Sequence, residues 1–113
     1  MSDAIFHAGT QITLNEALTS GNGRTLLRLQ EDRNLVLYKD NKPAWQAENA
    51  WSHGNILKVQ GDGNVVLYDE SERPVWASNT DGNDGAYLAV QDDGNAVVYD
   101  KAGSPIWATN TGD

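Results

Sequence analysis

Hydrophobic and polar residues alternate along most of this chain, without the helical spacing of apolar positions. Alternation is typical of strands that bury one face, because successive side chains on a strand point to opposite sides. The alternating runs end at clusters of Gly, Asn and Asp or at a proline, which are residues that favour turns. The pattern therefore predicts an all-β chain of short strands and tight turns.

One unit of this pattern occurs three times, over residues 27–45, 57–76 and 88–107. Equivalent glutamines and tryptophans recur every 30 or 31 residues, at Gln30, Gln60, Gln91 and at Trp45, Trp76, Trp107. A fixed period of this length predicts an array of one supersecondary unit. We expect three or four short strands in each copy, within a single domain spanning residues 1–113.

The segment before the first copy, residues 4–26, contains further strand-like stretches. They lie around 11–14 and 25–29 and are separated by the turn residues Gly-Asn-Gly. We expect this segment to complete one of three sheets.

Alternation also predicts which residues face the core. Side chains two positions apart on a strand share a face, so one set of aliphatic residues in each copy falls on one side and the motif valine falls on the other with Asn and Tyr. Burial of each is worth about 1.5–3 kcal/mol, and the three repeated tryptophans are expected to fill the same core. The predicted inner set is Leu27, Leu29, Leu35, Leu37; Leu57, Val59, Val65, Leu67; and Leu88, Val90, Ala96, Val98.

Each copy contains the nine-residue motif Q-x-D-x-N-x-V-x-Y, as QEDRNLVLY, QGDGNVVLY and QDDGNAVVY. In one straight strand, Gln60 and Tyr68 would lie about 26 Å apart, at roughly 3.3 Å per residue. A reversal at the Asp-Gly-Asn step would instead form a hairpin and return the two ends of the motif to each other. The motif therefore predicts a hairpin that gathers its polar side chains at one shallow cleft.

A carboxylate, two carboxamides and a phenol around one valine suit a neutral polyol such as a sugar. They offer directional donors and acceptors to hydroxyls, and the valine offers an apolar contact to ring carbons. Each neutral hydrogen bond contributes only about 0.5–1.5 kcal/mol net. We therefore expect one site to bind in the millimolar range and repeated sites to add avidity.

The three motifs, with the WASNT and WATNT segments that follow the second and third, resemble the monocot mannose-binding lectins, or bulb-type (B-lectin) domains. The resemblance covers nearly the whole chain. It implies a β-prism (type II) of three four-stranded antiparallel sheets with pseudo-threefold symmetry and with the tryptophans stacked inside. It also implies binding of terminal α-mannose and mannose-rich glycans at up to three sites, without metal or other cofactor. The matching positions are Gln30, Asp32, Asn34, Val36, Tyr38; Gln60, Asp62, Asn64, Val66, Tyr68; and Gln91, Asp93, Asn95, Val97, Tyr99.

The same resemblance implies a role for each residue type. Asp and Asn would hold the axial O2 of mannose, Gln would reach O3 and Tyr would reach O4, which disfavours glucose. Exchange of C-terminal strands, here around residues 106–111, would form a homodimer.

In the first copy Arg33 replaces the glycine found at Gly63 and Gly94, so its turn either avoids positive φ or carries about 1 kcal/mol of strain. We expect the first site to differ in affinity.

The composition of the chain excludes or disfavours several classes of function and of partner. The chain has no cysteine, which excludes disulfides and thiol catalysis, and it lacks the leader and disulfide of many plant members of that family. Its net charge of -8 disfavours nucleic acid and anionic membranes as partners. No stretch has the length and apolarity of a signal peptide or membrane span. We expect a cytoplasmic protein, or one secreted after removal of a leader absent from this chain.

The sequence also raises four alternative interpretations. A β-prism that works through protein contacts, as in a bacteriocin-like assembly, would explain the fold but not the recurring Gln and Tyr. Trp51, outside the repeat, is either a surface or interface aromatic or an added face for stacking a sugar. Calcium is disfavoured because no EF-hand loop is present. His7 and His53 lack Cys partners and nucleophile spacing, so neither a zinc site nor an enzyme is expected.

Overall fold

The computed structural model describes residues 3–113, so Met1 and Ser2 of the predicted domain lie outside it. The described chain contains strands and turns, and within it no helix is long and apolar enough to cross a membrane. The strands are β1 (Ala4–Phe6), β2 (Gln11–Ile12), β3 (Glu16–Thr19), β4 (Thr25–Leu29), β5 (Leu35–Lys39), β6 (Lys42–Gln46), β7 (Ile56–Val59), β8 (Val65–Tyr68), β9 (Pro74–Ala77), β10 (Tyr87–Val90), β11 (Ala96–Tyr99) and β12 (Pro105–Ala108).

These strands form three four-stranded antiparallel sheets, which confirms the predicted β-prism. Sheet 1 has the order β3-β4-β5-β6, sheet 2 the order β2-β7-β8-β9, and sheet 3 the order β1-β10-β11-β12. Each repeated unit supplies three consecutive strands of one sheet, joined by tight turns. The three motifs therefore lie at equivalent places on three different sheets, and we call them sites 1, 2 and 3.

The fourth strand of every sheet comes from the segment before the first copy. We expected residues 4–26 to complete one sheet, and this prediction is wrong, because β1, β2 and β3 each join a different sheet. Turns at Gly9 and Asn15, with φ of 99° and 68°, redirect the chain after each short strand. Such strands are too short for alternation to reveal their partners. The 25–29 stretch forms β4 as predicted.

The predicted inner set forms the core, with all twelve side chains at 4% exposure or less. Cross-strand register explains this, because Leu57 lies opposite Leu67 and Leu27 lies opposite Leu37. Residues directly opposite each other on neighbouring strands share a face, so both members of each pair point inward. The local alternation of the sequence therefore determined the buried face correctly.

The three repeated tryptophans pack against this core and against one another. Their ring centroids lie 5.4 to 5.7 Å apart and the ring planes meet at 66° to 76°, which is an edge-to-face arrangement. Each lies opposite an inner residue, Leu37, Leu67 or Val98. The predicted packing is confirmed, but the rings are partly buried and edge-to-face rather than stacked. They join the three sheets to one another.

Candidate functional site

Each motif folds as the predicted hairpin. In site 2, the Gln60 N–H donates to the Asn64 carbonyl at 2.9 Å, and the Gly63 N–H donates to the Gln60 carbonyl at 3.1 Å. Asp62 Oδ1 accepts the Asn64 N–H at 2.9 Å, a side-chain bond that holds the turn. Sites 1 and 3 repeat these bonds. One carboxylate oxygen of each Asp therefore serves the turn and leaves the other available.

The ends of each motif also meet. Gln91 Nε2 donates to the Tyr99 hydroxyl oxygen at 2.6 Å, and Gln60 Nε2 donates in the same way to Tyr68. In both sites the tyrosine hydroxyl thus accepts from the protein and keeps its own proton for an outside acceptor. The hairpin brings Gln and Tyr, eight positions apart in sequence, to hydrogen-bonding distance.

The motif valines are less accessible than the sequence suggested. Val36, Val66 and Val97 lie outside the inner cluster, on the outer face as predicted, yet each is only 3% to 5% exposed. Each sits on a central strand, and neighbours such as Lys58 and Ala77 lie directly opposite Val66 on its two sides. The expected open apolar patch is therefore reduced to a small hydrocarbon contact.

Two hydroxyl residues behind site 2 were missed by the sequence reasoning. Ser78 Oγ accepts the Val65 N–H at 3.1 Å and donates to Asn64 Oδ1 at 3.2 Å. The Thr80 N–H donates to the same oxygen at 3.2 Å, and Thr80 Oγ1 donates to the Gly63 carbonyl at 2.6 Å. These buried residues fix the asparagine amide so that its Nδ2 faces away from them.

Site 3 has the same support from Thr109 and Thr111. Thr109 Oγ1 donates to Asn95 Oδ1 at 3.0 Å, and the Thr111 N–H donates to it at 3.3 Å. The sequence feature that could have identified these supporting residues is the recurrence of hydroxyl side chains at matching offsets in WASNT and WATNT. Within residues 3–113, no protein acceptor takes the Nδ2 of Asn64 or Asn95. Each of these two sites thus presents a free amide donor beside a free carboxylate oxygen.

Site 1 differs in its turn. Arg33 adopts φ of 72°, close to the 92° and 97° of Gly63 and Gly94, so the turn carries the strain rather than avoiding it. That conformation costs a non-glycine residue about 1 kcal/mol. The Arg33 side chain donates from Nη1 to the Gly54 carbonyl at 3.2 Å, a contact that offsets part of the cost. The first turn therefore has the same left-handed conformation as the other two, with strain at Arg33, and the difference in affinity expected at site 1 stays a prediction.

Ion pairs hold the chain after β12 near site 3. The Asp113 N–H donates to the Asp93 carbonyl at 2.9 Å, and the Asp113 carboxylate bonds to Arg24 and, at 2.7 Å, to Lys39. These two cations, Arg24 most strongly, hold the pKa of Asp113 well below its usual range. This exposed cluster links the end of sheet 3 to sheet 1.

The depressions on the surface are open and shallow. One of about 580 Å³ lies between loops at Asn83 and Lys101, away from the motif side chains. Another of about 440 Å³ is lined by Val36, Tyr38 and Gln46 at site 1. Within the described chain, no group of three His, Asp or Glu side chains is arranged to hold a metal ion.

Comparison with known proteins places these features in a family. No family model matches the chain. Its structure is similar to that of a monomeric monocot mannose-binding lectin from Gastrodia elata, with a TM-score of 0.84, 40% identity and coverage of 96% of this chain and 98% of that one. It is also similar to the mannose-specific agglutinin of snowdrop, Galanthus nivalis, solved with methyl α-D-mannoside, with a TM-score of 0.75, 38% identity and coverage of 98% and 99%.

A relative found by sequence similarity points to the same family. The mannose-specific lectin of Dendrobium findlayanum is 43% identical over 72 residues, which are 58% of this chain and 42% of that protein. The chain thus matches less than half the length of this relative. With the prism fold, the three hairpins and these similarities, the chain belongs to the monocot mannose-binding lectin family.

Proposed function

We propose that this chain is a lectin that binds terminal α-mannose and mannose-rich glycans, without a metal ion and without catalysing a reaction. The observation that carries the proposal is the pair of free groups at sites 2 and 3. There the unused carboxylate oxygen of Asp62 or Asp93 stands beside the unpaired amide donor of Asn64 or Asn95. The snowdrop relative, solved with a mannoside, supports the choice of sugar.

The free atoms form a set suited to sugar hydroxyls. In site 2, Asp62 Oδ2 accepts, Asn64 Nδ2 donates, Gln60 Oε1 accepts and the Tyr68 hydroxyl donates. A sugar hydroxyl both donates and accepts, so a neighbouring carboxylate and amide can satisfy one hydroxyl together. Each bond is worth about 0.5–1.5 kcal/mol net, which keeps a single site near the millimolar range. Binding of branched glycans then depends on several sites acting together.

Sugar selectivity provides the direct test. Titration with methyl α-mannoside, followed by NMR, is expected to give millimolar affinity, and methyl α-glucoside is expected to bind at least tenfold more weakly. The reason is that an axial O2 lies between the Asp and Asn groups, whereas an equatorial O2 leaves them unpaired. Absence of binding by either sugar at several tens of millimolar would contradict the proposal and favour a protein-interaction module.

We propose further that the chain pairs into a homodimer by exchange of the strand around residues 106–111. In the single chain, β12 pairs with β11 of its own sheet, and Asp113 pairs with Arg24 and Lys39. A dimer would form these same contacts between chains. Light scattering is expected to give twice the 12.3 kDa chain mass. A strict monomer, as described for the Gastrodia relative, would refute the exchange.

A further inference from the structure

The most distinctive departure from the threefold pattern lies on β6, beside site 1. Gln46 lies opposite Val36, at the place where Ala77 lies opposite Val66 in sheet 2 and Ala108 opposite Val97 in sheet 3. Directly opposite residues share a face, so the Gln46 side chain stands on the outer, sugar-facing side of sheet 1. Where the other sites have a methyl group, site 1 has a carboxamide.

This carboxamide bonds to the motif asparagine. Asn34 Nδ2 donates to Gln46 Oε1 at 2.9 Å, and Asn34 is only 7% exposed. In sites 2 and 3, the equivalent Nδ2 atoms are the donors left for a ligand. Gln46 Oε1 therefore accepts from the Asn34 amide nitrogen, whose equivalents in sites 2 and 3 have no protein acceptor among residues 3–113.

Ala47, the residue after Gln46, explains why the Asn34 amide is oriented with its Nδ2 toward Gln46. Ala47 replaces the hydroxyl residues Ser78 and Thr109, which accept the N–H of the residue that follows the motif asparagine in their own sheets. Without that hydroxyl, the Leu35 N–H donates at 3.0 Å to Asn34 Oδ1. A backbone N–H can only donate, so this bond fixes which end of the amide faces it.

The side-chain amide of Gln30, the other amide of site 1, is also hydrogen-bonded to protein groups. Gln30 Nε2 donates to Asp32 Oδ1 at 3.1 Å, and Gln30 Oε1 accepts from the Tyr38 hydroxyl. In sites 2 and 3 the glutamine instead donates to the tyrosine and its Oε1 is available. Both amides and the phenol of site 1 therefore have protein partners.

We infer that Gln46 closes site 1 and that the chain binds sugar only at sites 2 and 3, an inference that rests on the proposed mannose binding. A depression of about 440 Å³ lined by Val36, Tyr38 and Gln46 remains beside these groups. The closure therefore comes from the Asn34 N–H that Gln46 accepts and from the Gln46 side chain that holds it, rather than from a filled cleft. A sugar at site 1 must first displace Gln46, which lowers its affinity at least tenfold relative to the other sites.

The side-chain amide resonances of Asn34, Asn64 and Asn95 in an ¹⁵N NMR spectrum provide a separate readout for each site. On titration with methyl α-mannoside, the Asn64 and Asn95 amides are expected to shift with millimolar affinity, while Asn34 stays unchanged. In the double variant Gln46→Ala/Ala47→Ser, which copies the alanine and serine of sheet 2, Asn34 is expected to shift as well. The spectrum also reports whether the variant is folded.

Two controls make the test specific. Gln46→Glu keeps an acceptor for Asn34 Nδ2, so site 1 is expected to stay closed. The reciprocal change Ala77→Gln is expected to weaken site 2 at least tenfold and leave site 3 unaffected. If Ala47→Ser disturbs folding, Gln46→Ala alone carries the test.

The outcomes separate this inference from the proposed function. Absence of any shift at Asn64 and Asn95 overturns mannose binding itself. Shifts at all three asparagines with equal affinity in the unaltered chain overturn only the closure of site 1. An Asn34 that stays silent after removal of Gln46, while the other two respond, shows that Gln46 is not the closing group.

Discussion

An Asn95→Asp variant is expected to lose binding of methyl α-mannoside at site 3 by about tenfold or more, with little change in melting temperature. Aspartate keeps the oxygen that accepts from Thr109 and Thr111, but it replaces the Nδ2 donor with a second acceptor. One sugar oxygen then loses its partner, and about 1.4 kcal/mol corresponds to a factor of ten in affinity. NMR titration and calorimetric melting measure the two effects separately.

The neighbouring Asn110→Asp change is the matched control. Asn110 is exposed, so it adds the same charge near site 3 without altering the motif amide. Because the sugar is neutral, its affinity is expected to stay within about twofold. If Asn95→Asp binds as well as Asn110→Asp, the asparagine amide is not a donor to the sugar.

Alanine variants of the motif are less specific tests than the isosteric Asn95→Asp change. Asn64→Ala and Asp93→Ala each remove an acceptor that a protein N–H uses, as well as a group available to the sugar. Asn64 Oδ1 holds the Thr80 N–H, and Asp93 Oδ1 holds the Asn95 N–H within the turn. Removal of such an acceptor costs about 1–3 kcal/mol where the donor stays buried. Alanine variants thus mix binding with stability, which the isosteric change avoids.

Replacement of Trp76 by alanine is expected to lower the free energy of unfolding by about 3 kcal/mol, the lower end of the range for large aromatic residues. Its ring meets Trp45 and Trp107 edge to face, each at 5.4 Å, and lies opposite Leu67. The change removes contacts with two other sheets as well as with its own. Urea unfolding followed by circular dichroism measures the loss.

Trp51→Ala is the control for tryptophan removal. This residue is 64% exposed and lies outside the repeat, so the free energy of unfolding is expected to change by no more than about 0.5 kcal/mol. A similar loss in the two variants would show that the three-ring cluster does not hold the sheets together.

Features set by neighbouring residues could be predicted from the sequence. The inner face followed from alternation, because each hairpin strand carries its own pattern of burial. The reversal at Asp62–Asn64 followed from turn chemistry within a few residues. Both predictions needed no knowledge of what else packs nearby, which is why they agree with the structure.

Features set by distant residues could not be predicted in this way. β2 has two residues, and no local pattern in Gln11–Ile12 identifies its partner β7. The closure of Asn34 by Gln46 depends on strand register and on a hydroxyl missing at Ala47, although the contrast between WQAEN and WASNT was visible. The change from glycine to Arg33 is visible within the motif itself, whereas the bond between Asn34 and Gln46 involves a residue outside the motif, on β6.

The placement of β1, β2 and β3 in three different sheets also sets the order in which the prism can be completed as the chain is synthesised. Sheet 1 uses four consecutive strands, so all its parts exist once residue 46 has been added. Sheet 2 joins β2 to strands that end at Ala77, and sheet 3 pairs Ala4 with Val90 and ends at Ala108. Such distant pairing closes long loops and slows folding. Of the twelve strands described, β1 is made first and is therefore among the last to find its partner, and sheet 3 is the last of the three sheets to be completed.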